Sequence, residues 1–142
     1  MGRTTPKGSY TQAGEIVTSA VTTAQHFIAV VDDEAPVRTM LRRVLRLAGY
    51  EVVTFASGDD FFASLAKRIP ACVVVDLHMP GMTGLEVVER LRQFPTVVPV
   101  VCITASDDAV LDKLVIDACG VPLLRKPFAS DSLLCAVAET LR

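Results

Sequence analysis

FIAVVDDEAP, at residues 27–36, joins five apolar residues directly to two aspartates, and a proline follows three positions later. A short, uninterrupted apolar run predicts a strand that is buried on both faces of a sheet. Pro36 suits the first turn of a helix, where its missing N–H group leaves no hydrogen bond unmade. The residues that follow predict that helix, because apolar side chains recur at helical spacing from Val37 to Ala48 and Gly49 ends the run.

The same order of an apolar run, a polar turn and a helical pattern recurs along the rest of the chain. Further strands are predicted at residues 51–55, 72–75, 97–103 and 121–125, and further helices over about 58–67, after Thr83, over 107–119 and after Ser130. The predicted helix caps are Ser57, Ser106, Ser130 and a capping box of Thr83 with Glu86. Five strands alternating with five helices predict an α/β fold, in which helices cover both faces of a doubly wound parallel sheet.

Length and composition indicate one globular domain. The chain has 142 residues, of which 51% are hydrophobic and 21% are charged. Its net charge of −2 gives no overall attraction for nucleic acid, and no apolar run approaches the roughly 20 residues of a membrane span. We expect a cytoplasmic domain at residues 26–142, preceded by a flexible extension at 1–25 that is rich in Thr, Ser, Ala and Gly.

The four cysteines, at positions 72, 102, 119 and 135, lie in apolar segments and none form a CxxC pair. We interpret them as small buried side chains that stay reduced. Disulfides or a zinc site are the alternative, but the usual ligand spacing is missing.

Polar side chains follow the predicted strands at one end of the sheet. They are Asp32, Asp33, Asp76, Thr104 and Lys126. The carboxyl ends of parallel strands share one edge, where ligands bind in such folds. Two carboxylates about 5 Å apart repel by roughly 3 kcal/mol at an effective dielectric of about 20, so three of them with one lysine must protonate or recruit a cation. Oxygen ligands with room for water and phosphate predict Mg²⁺, or Mn²⁺ in its place.

This combination of groups indicates aspartyl phosphorylation. A carboxylate that attacks a phosphoryl group brings two anions together, and a divalent cation with lysine and hydroxyl donors neutralises the transition state. Each residue alone has a structural explanation: Asp32 and Asp33 as helix caps, Asp76 as a turn residue, Thr104 as a buried hydroxyl and Lys126 as a surface charge. Their occurrence at successive strand ends favours a site.

Four segments resemble the signature segments of two-component response-regulator receiver domains, the CheY-like superfamily: VVDDE at 30–34, VDLHMPGMTG at 75–84, ITA at 103–105 and KPF at 126–128. The resemblance covers residues 26–142. It implies a flavodoxin-like (βα)5 fold with strand order 2-1-3-4-5. It also implies phosphorelay signalling, in which a sensor histidine kinase phosphorylates Asp76.

The resemblance implies a metal site as well. Asp33, Asp76 and the backbone carbonyl of His78 would bind Mg²⁺ directly, and Asp32 would act through water. A receiver of this kind is not an enzyme beyond catalysing its own phosphorylation and dephosphorylation.

Other site residues follow from the same resemblance. Thr104 and Lys126 would hold the phosphoryl oxygens, and Lys126–Pro127 would be a cis peptide bond. The GMTGLE segment at 81–86 and the final helix resemble receivers of LuxR/FixJ-type transcriptional regulators. Whether the domain stands alone or belongs to a longer regulator is left open, as are the kinase and the output.

One position departs from the family pattern. Leu123 stands where many receivers carry the aromatic residue that couples phosphorylation to output. A pseudo-receiver, which binds partners without accepting phosphate, is therefore one alternative. A haloacid-dehalogenase-like phosphatase is another, but it needs a second acid two residues after the nucleophile, where this chain has His78. We expect the side chains of His78 and Ser106 to tune the access of water to the phosphoryl group.

Two surfaces are candidates for protein partners. Arg38, Arg42 and Arg46 recur every fourth residue, as on a solvated helix face or a face that docks the kinase. The predicted fourth helix and the fifth strand carry more apolar residues than one buried face needs, which predicts a homodimer interface: Val110, Leu111, Leu114, Val115, Ile116, Ala118, Cys119, Val121, Leu123 and Leu124. We expect no direct contact with nucleic acid or membrane.

Overall fold

One parallel sheet organises the chain. The computed structural model describes residues 27–105, 110, 113–115, 117 and 120–142. The strands within this part are β1 (Phe27–Val31), β2 (Glu51–Phe55), β3 (Cys72–Asp76), β4 (Val100–Thr104) and β5 (Leu123–Arg125). Their order is β2-β1-β3-β4-β5 and every pair is parallel, so the predicted fold class and strand order are confirmed. The predicted extension at 1–25 lies outside the described residues.

Helices connect the strands and cover both faces of the sheet. They are α1 (Ala35–Leu47), α2 (Gly58–Ser64), α3 (Gly84–Leu91) and α4 (Ser130–Thr140). The helix predicted over 107–119 lies largely outside the described residues, although Val110, residues 113–115 and Asp117 are helical. Gly49 follows α1 with φ of 101°, a left-handed conformation that favours glycine, as the predicted end of that helix requires.

The predicted helix caps have different outcomes. The Ser57 hydroxyl accepts a hydrogen bond from the backbone of Asp60, and Thr83 forms a complete capping box with Glu86. The cap predicted at Ser130 is wrong, because the residue before α4 is Ala129, which has no side-chain acceptor. Ser106 lies outside the described residues.

Two strands begin later than their apolar runs predict. β4 begins at residue 100 rather than 97, and β5 at residue 123 rather than 121. A proline comes just before each observed start, and proline has no N–H group to donate to a sheet. The carbonyls of Pro99 and Pro122 still accept, from the N–H groups of Val73 at 2.9 Å and Cys102 at 2.8 Å. Val97, ahead of the first proline, is 88% exposed.

The core has two layers, one on each face of the sheet. β1, β3 and β4 are buried at every residue, which explains why their sequences show no alternation of apolar and polar residues. One layer contains Leu65, which follows α2, and side chains from α2 and α3: Phe61, Val87, Val88 and Leu91. The other contains side chains from α1 and α4: Leu41, Leu45, Leu133 and Val137.

The cysteine prediction is only partly correct. Cys72 and Cys102 are buried, and burial raises the pKa of Cys72 to about 11, so its thiol stays protonated. Cys135 is exposed on α4, against expectation, and Cys119 lies outside the described residues. None of the three described cysteines is part of a disulfide bond. Among the described helices, none is long and apolar enough to cross a membrane.

Candidate functional site

Three aspartates meet at the carboxyl edge of the sheet. Asp32 and Asp33 follow β1, and Asp76 ends β3, the neighbouring strand, whose Val75 is paired with Val31. One carboxylate oxygen from each aspartate lies within 4.8 Å of the others. Asp32 is 1% exposed and Asp76 5% exposed, whereas Asp33 is open to solvent. The structure therefore brings together the carboxylates that the sequence placed at separate strand ends.

Lys126 supplies the positive charge of the cluster. Its Nζ atom lies 3.4 Å from Asp32 Oδ2, 3.7 Å from Asp76 Oδ2 and 4.0 Å from Glu34 Oε1. The peptide bond between Lys126 and Pro127 is cis, as the sequence resemblance implied. Because one ammonium group faces several carboxylates, the cluster keeps an excess of negative charge.

Thr104 and His78 flank Asp76. Thr104 ends β4 and is fully buried, and the residue before it, Ile103, is paired with Asp76 across the sheet. The backbone N–H of His78 donates to Asp76 Oδ1 at 3.1 Å, while the rest of His78 is exposed. The aspartate is thus held by the turn that follows it. Ser106, the other residue predicted to control water, lies outside the described residues.

Two residues whose contacts hold the site in place were not predicted for that role. The Arg38 guanidinium donates through Nη1 to the Asp32 backbone carbonyl at 2.7 Å. Gly84 begins α3 so close to Asp76 that an added Cβ would lie 2.2 Å from the Asp76 carbonyl oxygen and 2.6 Å from Leu77 Cα. In the sequence Arg38 belongs to a regular surface stripe, so nothing marks its contact with the site. Gly84 has a visible signal, because glycine is a weak helix former at the start of a helix that already has a capping box.

Burial and charge together perturb the Asp76 carboxyl. Burial raises the pKa of Asp76 above its usual value, and the neighbouring charges of Asp32 and Asp33 raise it further. The His78 N–H group and the Lys126 ammonium act in the opposite direction but do not outweigh them. An ionised cluster of this kind gains stability from a bound cation.

The donor set fits a hard divalent cation. The three clustered groups are all carboxylates, and within the described residues they are the only cluster of His, Cys, Asp or Glu side chains that could hold a metal ion. Oxygen donors with one open, exposed side suit Mg²⁺, which keeps several of its waters. These groups fit the predicted metal, although its binding stays a prediction.

Comparisons with known proteins point to one family. Residues 28–138 match the family model described as "Response regulator receiver domain". Response regulator MprA of Mycobacterium sp. (strain KMS) is 37% identical over 115 residues, which cover 81% of this chain and 50% of MprA. The chain spans about a quarter to a half of the length of the curated relatives it matches.

Solved structures agree in fold. A response regulator receiver protein from Burkholderia phymatum is 40% identical with a TM-score of 0.72, and the match covers 82% of this chain and 94% of that one. The structure described as FixJ-N is 28% identical with a TM-score of 0.75, and the match covers 82% of this chain and 93% of that one. The predicted likeness to FixJ-type receivers thus has a structural counterpart.

Proposed function

This chain belongs to the family of response-regulator receiver domains, and from that membership we propose that Asp76 accepts a phosphoryl group from a sensor histidine kinase. Receiver domains of two-component response regulators act in phosphorelay signalling. The observation that carries the proposal is the Asp76 carboxylate itself, which is 5% exposed and lies beside two other carboxylates and one lysine at the edge of the sheet. This position gives a nucleophile that is shielded from water on most sides.

Mg²⁺ is part of the proposal. Asp33, Asp76 and the backbone carbonyl of His78 would hold the ion, and Asp32 would act through a water molecule. The ion would supply positive charge that reduces the repulsion between the acceptor carboxylate and the incoming phosphoryl group. This assignment is supported by the convergence of the three carboxylates within 4.8 Å.

The remaining chemistry belongs to protein side chains. The P–O bond to Asp76 would form as the P–N bond of the phosphohistidine breaks, and the kinase histidine, protonated on its other ring nitrogen, would leave as the neutral imidazole. Lys126 would bind a phosphoryl oxygen, which is supported by the 3.7 Å between its Nζ atom and Asp76 Oδ2. Thr104, fully buried at the end of β4, would donate its hydroxyl to a second phosphoryl oxygen. The His78 N–H group keeps the acceptor carboxylate in place through its hydrogen bond to Oδ1.

The outer face of α1 is our proposed docking surface for the kinase. It combines the arginine stripe of residues 38, 42 and 46 with two exposed apolar side chains, Met40 at 42% and Leu47 at 83%. The helix contains no acidic residue, although the whole chain has a net charge of −2. Shallow cavities of about 260, 210 and 250 Å³ lie along it, the last an apolar groove formed with α4 by Leu47 and Leu134. These features fit a partner helix with acidic and apolar side chains, whose association should weaken with salt.

A homodimer through the predicted fourth helix and β5 remains our second proposal about partners. Val110 is 70% exposed and Leu114 is 60% exposed, which supports an apolar surface next to β5. Light scattering with and without beryllofluoride, which mimics a bound phosphoryl group, tests it. A monomer under both conditions would contradict the dimer.

Two alternatives make different predictions. A pseudo-receiver is kept open by Leu123, the residue in place of the expected aromatic. A phosphatase that turns over external substrates is disfavoured, because the residue two positions after Asp76 is His78 and not an acid. Incubation with acetyl phosphate and Mg²⁺ followed by intact-mass analysis separates the pseudo-receiver from our proposal. We expect the wild type to gain one phosphoryl group and Asp76→Asn to gain none, whereas no gain in the wild type would favour the pseudo-receiver.

A further inference from the structure

The junction between β1 and α1 is held by a contact from within the helix. Helix α1 starts after Glu34, whose side chain makes no capping hydrogen bond. In place of a cap, the Glu34 N–H group donates to Asp32 Oδ1 at 2.8 Å. The Arg38 guanidinium reaches back from the first turn and donates to the Asp32 carbonyl at 2.7 Å. Asp32 also donates its own N–H group to the carbonyl of Phe55 on β2 at 3.1 Å.

These bonds fix the residues on both sides of Asp33. The Asp33 side chain is exposed and makes no hydrogen bond or ion pair with the part of the chain that the structure describes. The direction of its carboxylate therefore depends on the backbone of the turn. That turn is short, so a shift of the Asp32 carbonyl would change where the Asp33 oxygens lie relative to Asp76.

We propose that Arg38 is a positioning residue for the acidic cluster, because its bond to the Asp32 carbonyl holds the turn that aims Asp33 at the divalent cation. The proposal rests on the proposed function, since it takes the cluster to be a Mg²⁺ site. Arg38 has two opposing effects on such a site. Its positive charge disfavours a cation nearby, whereas its hydrogen bond favours the geometry that a cation needs.

Whether Arg38→Met weakens or strengthens Mg²⁺ binding shows which of these two effects of Arg38 dominates. Residues that orient metal ligands typically contribute about 10- to 100-fold to metal affinity. If orientation dominates, Arg38→Met will bind Mg²⁺ about 10- to 100-fold more weakly than the wild type. If only the charge matters, the same variant will bind Mg²⁺ more tightly, because a nearby positive charge has been removed.

A matched control is available on the same helix. Arg43 is exposed and makes no hydrogen bond or ion pair with the described residues, so Arg43→Met removes the same charge without touching the Asp32 carbonyl. Calorimetry with Mg²⁺, and electron paramagnetic resonance of free Mn²⁺, measure affinity in the unphosphorylated full chain. We expect Arg43→Met to bind both ions nearly as the wild type does.

A second measurement distinguishes positioning from a general loss of structure. In phosphorylation by acetyl phosphate, the Mg²⁺ concentration at half-maximal rate should rise by the same factor in Arg38→Met, while the rate at saturating Mg²⁺ changes little. If that variant does not fold, Arg38→Lys is used instead, which keeps the charge on a single donor nitrogen but lacks the planar guanidinium. We expect it to bind Mg²⁺ more weakly than the wild type.

Failure of the proposal for Arg38 can be distinguished from failure of the proposed function. Unchanged or tighter Mg²⁺ binding by Arg38→Met, or by Arg38→Lys where the methionine variant is unfolded, would overturn the role of Arg38 and leave the proposed function intact. Failure of the wild type to bind Mg²⁺ would overturn both.

Discussion

Replacing Gly84 with alanine tests whether helix α3 sets the position of Asp76. The Gly84 N–H group donates to the Leu77 carbonyl at 3.2 Å, so the helix start is tied to the turn after β3. A Cβ atom added there would lie 2.2 Å from the Asp76 carbonyl oxygen. Non-bonded heavy atoms pack at about 3.5 Å, so the helix and the strand end must move apart by about 1 Å.

Two energies of opposite sign decide the effect on stability. Alanine is a better helix former than glycine by about 1 kcal/mol, which favours the variant. Overpacking typically costs about 1–3 kcal/mol, and the cost should be at the upper end here because the nearest atoms are backbone and cannot rotate away. We expect Gly84→Ala to lower the free energy of unfolding by about 2 kcal/mol in total. A displacement of Asp76 by about 1 Å should also slow its phosphorylation by up to about 100-fold.

Urea unfolding and the rate of phosphorylation by acetyl phosphate measure the two effects separately. Gly49→Ala is the control, because Gly49 has φ of 101° and no atom within 4 Å of an added Cβ. That variant should lose about 1–3 kcal/mol through backbone strain alone and phosphorylate at the wild-type rate while folded. A Gly84→Ala protein with wild-type stability and wild-type phosphorylation would refute the reasoning.

Three further changes have expected outcomes. Burial raises the pKa of Asp76. At pH values just above the usual pKa of an aspartate, the native state therefore binds more protons than the unfolded state. The wild type loses stability as pH rises through this range. Asp76→Asn should therefore be the more stable protein at neutral pH without Mg²⁺, and the difference should vanish in acid, as thermal melts across pH will show. His78→Ala keeps the N–H group that holds Asp76 but removes the exposed imidazole, so the dephosphorylation rate should change; an unchanged rate, followed by intact mass over time, would contradict a role in water access. Thr83→Ala removes the hydroxyl of the capping box and should destabilise the protein by about 1 kcal/mol in urea unfolding, whereas Thr83→Ser should lose little.

The fold could be predicted from the sequence because buried strands have a recognisable apolar pattern. The runs at β1, β3 and β4 are apolar at nearly every position, and that pattern requires cover on both faces of a sheet. Where the boundaries differ, the cause is local chemistry: Pro99 and Pro122 cannot donate to the sheet, so pairing starts after them. Cys135 was predicted to be buried but is exposed. A small residue in an apolar helix can face the core or the solvent without changing the apolar pattern, so the pattern does not predict its burial.

The site was predictable to the extent that strand ends determine it. Asp32 follows β1 and Asp76 ends β3, and these are neighbouring parallel strands, so the strand order alone places the two residues together. The contact of Arg38 with the Asp32 carbonyl depends on the path of a turn and on the rotamer of a long side chain. Residue spacing encodes neither, which is why the same residue was predicted only as part of a surface stripe.

Lys126 links Asp76 to β5, the strand through which a signal would leave under the proposed function. Its Nζ atom lies between Asp32 and Asp76, at 3.4 and 3.7 Å, so under the proposed function a phosphoryl group on Asp76 would draw the ammonium away from Asp32. Lys126 directly follows β5, which has three residues where the other strands have five, and lies at the edge of the sheet. A change in the electrostatic attraction on Lys126 would therefore act on β5, the shortest strand, which has the fewest sheet hydrogen bonds to lose. Leu123, partly buried against the layer that contains α2 and α3, is carried by the same strand. Because leucine has no polar group to exchange partners, any output through it must work by a change in packing.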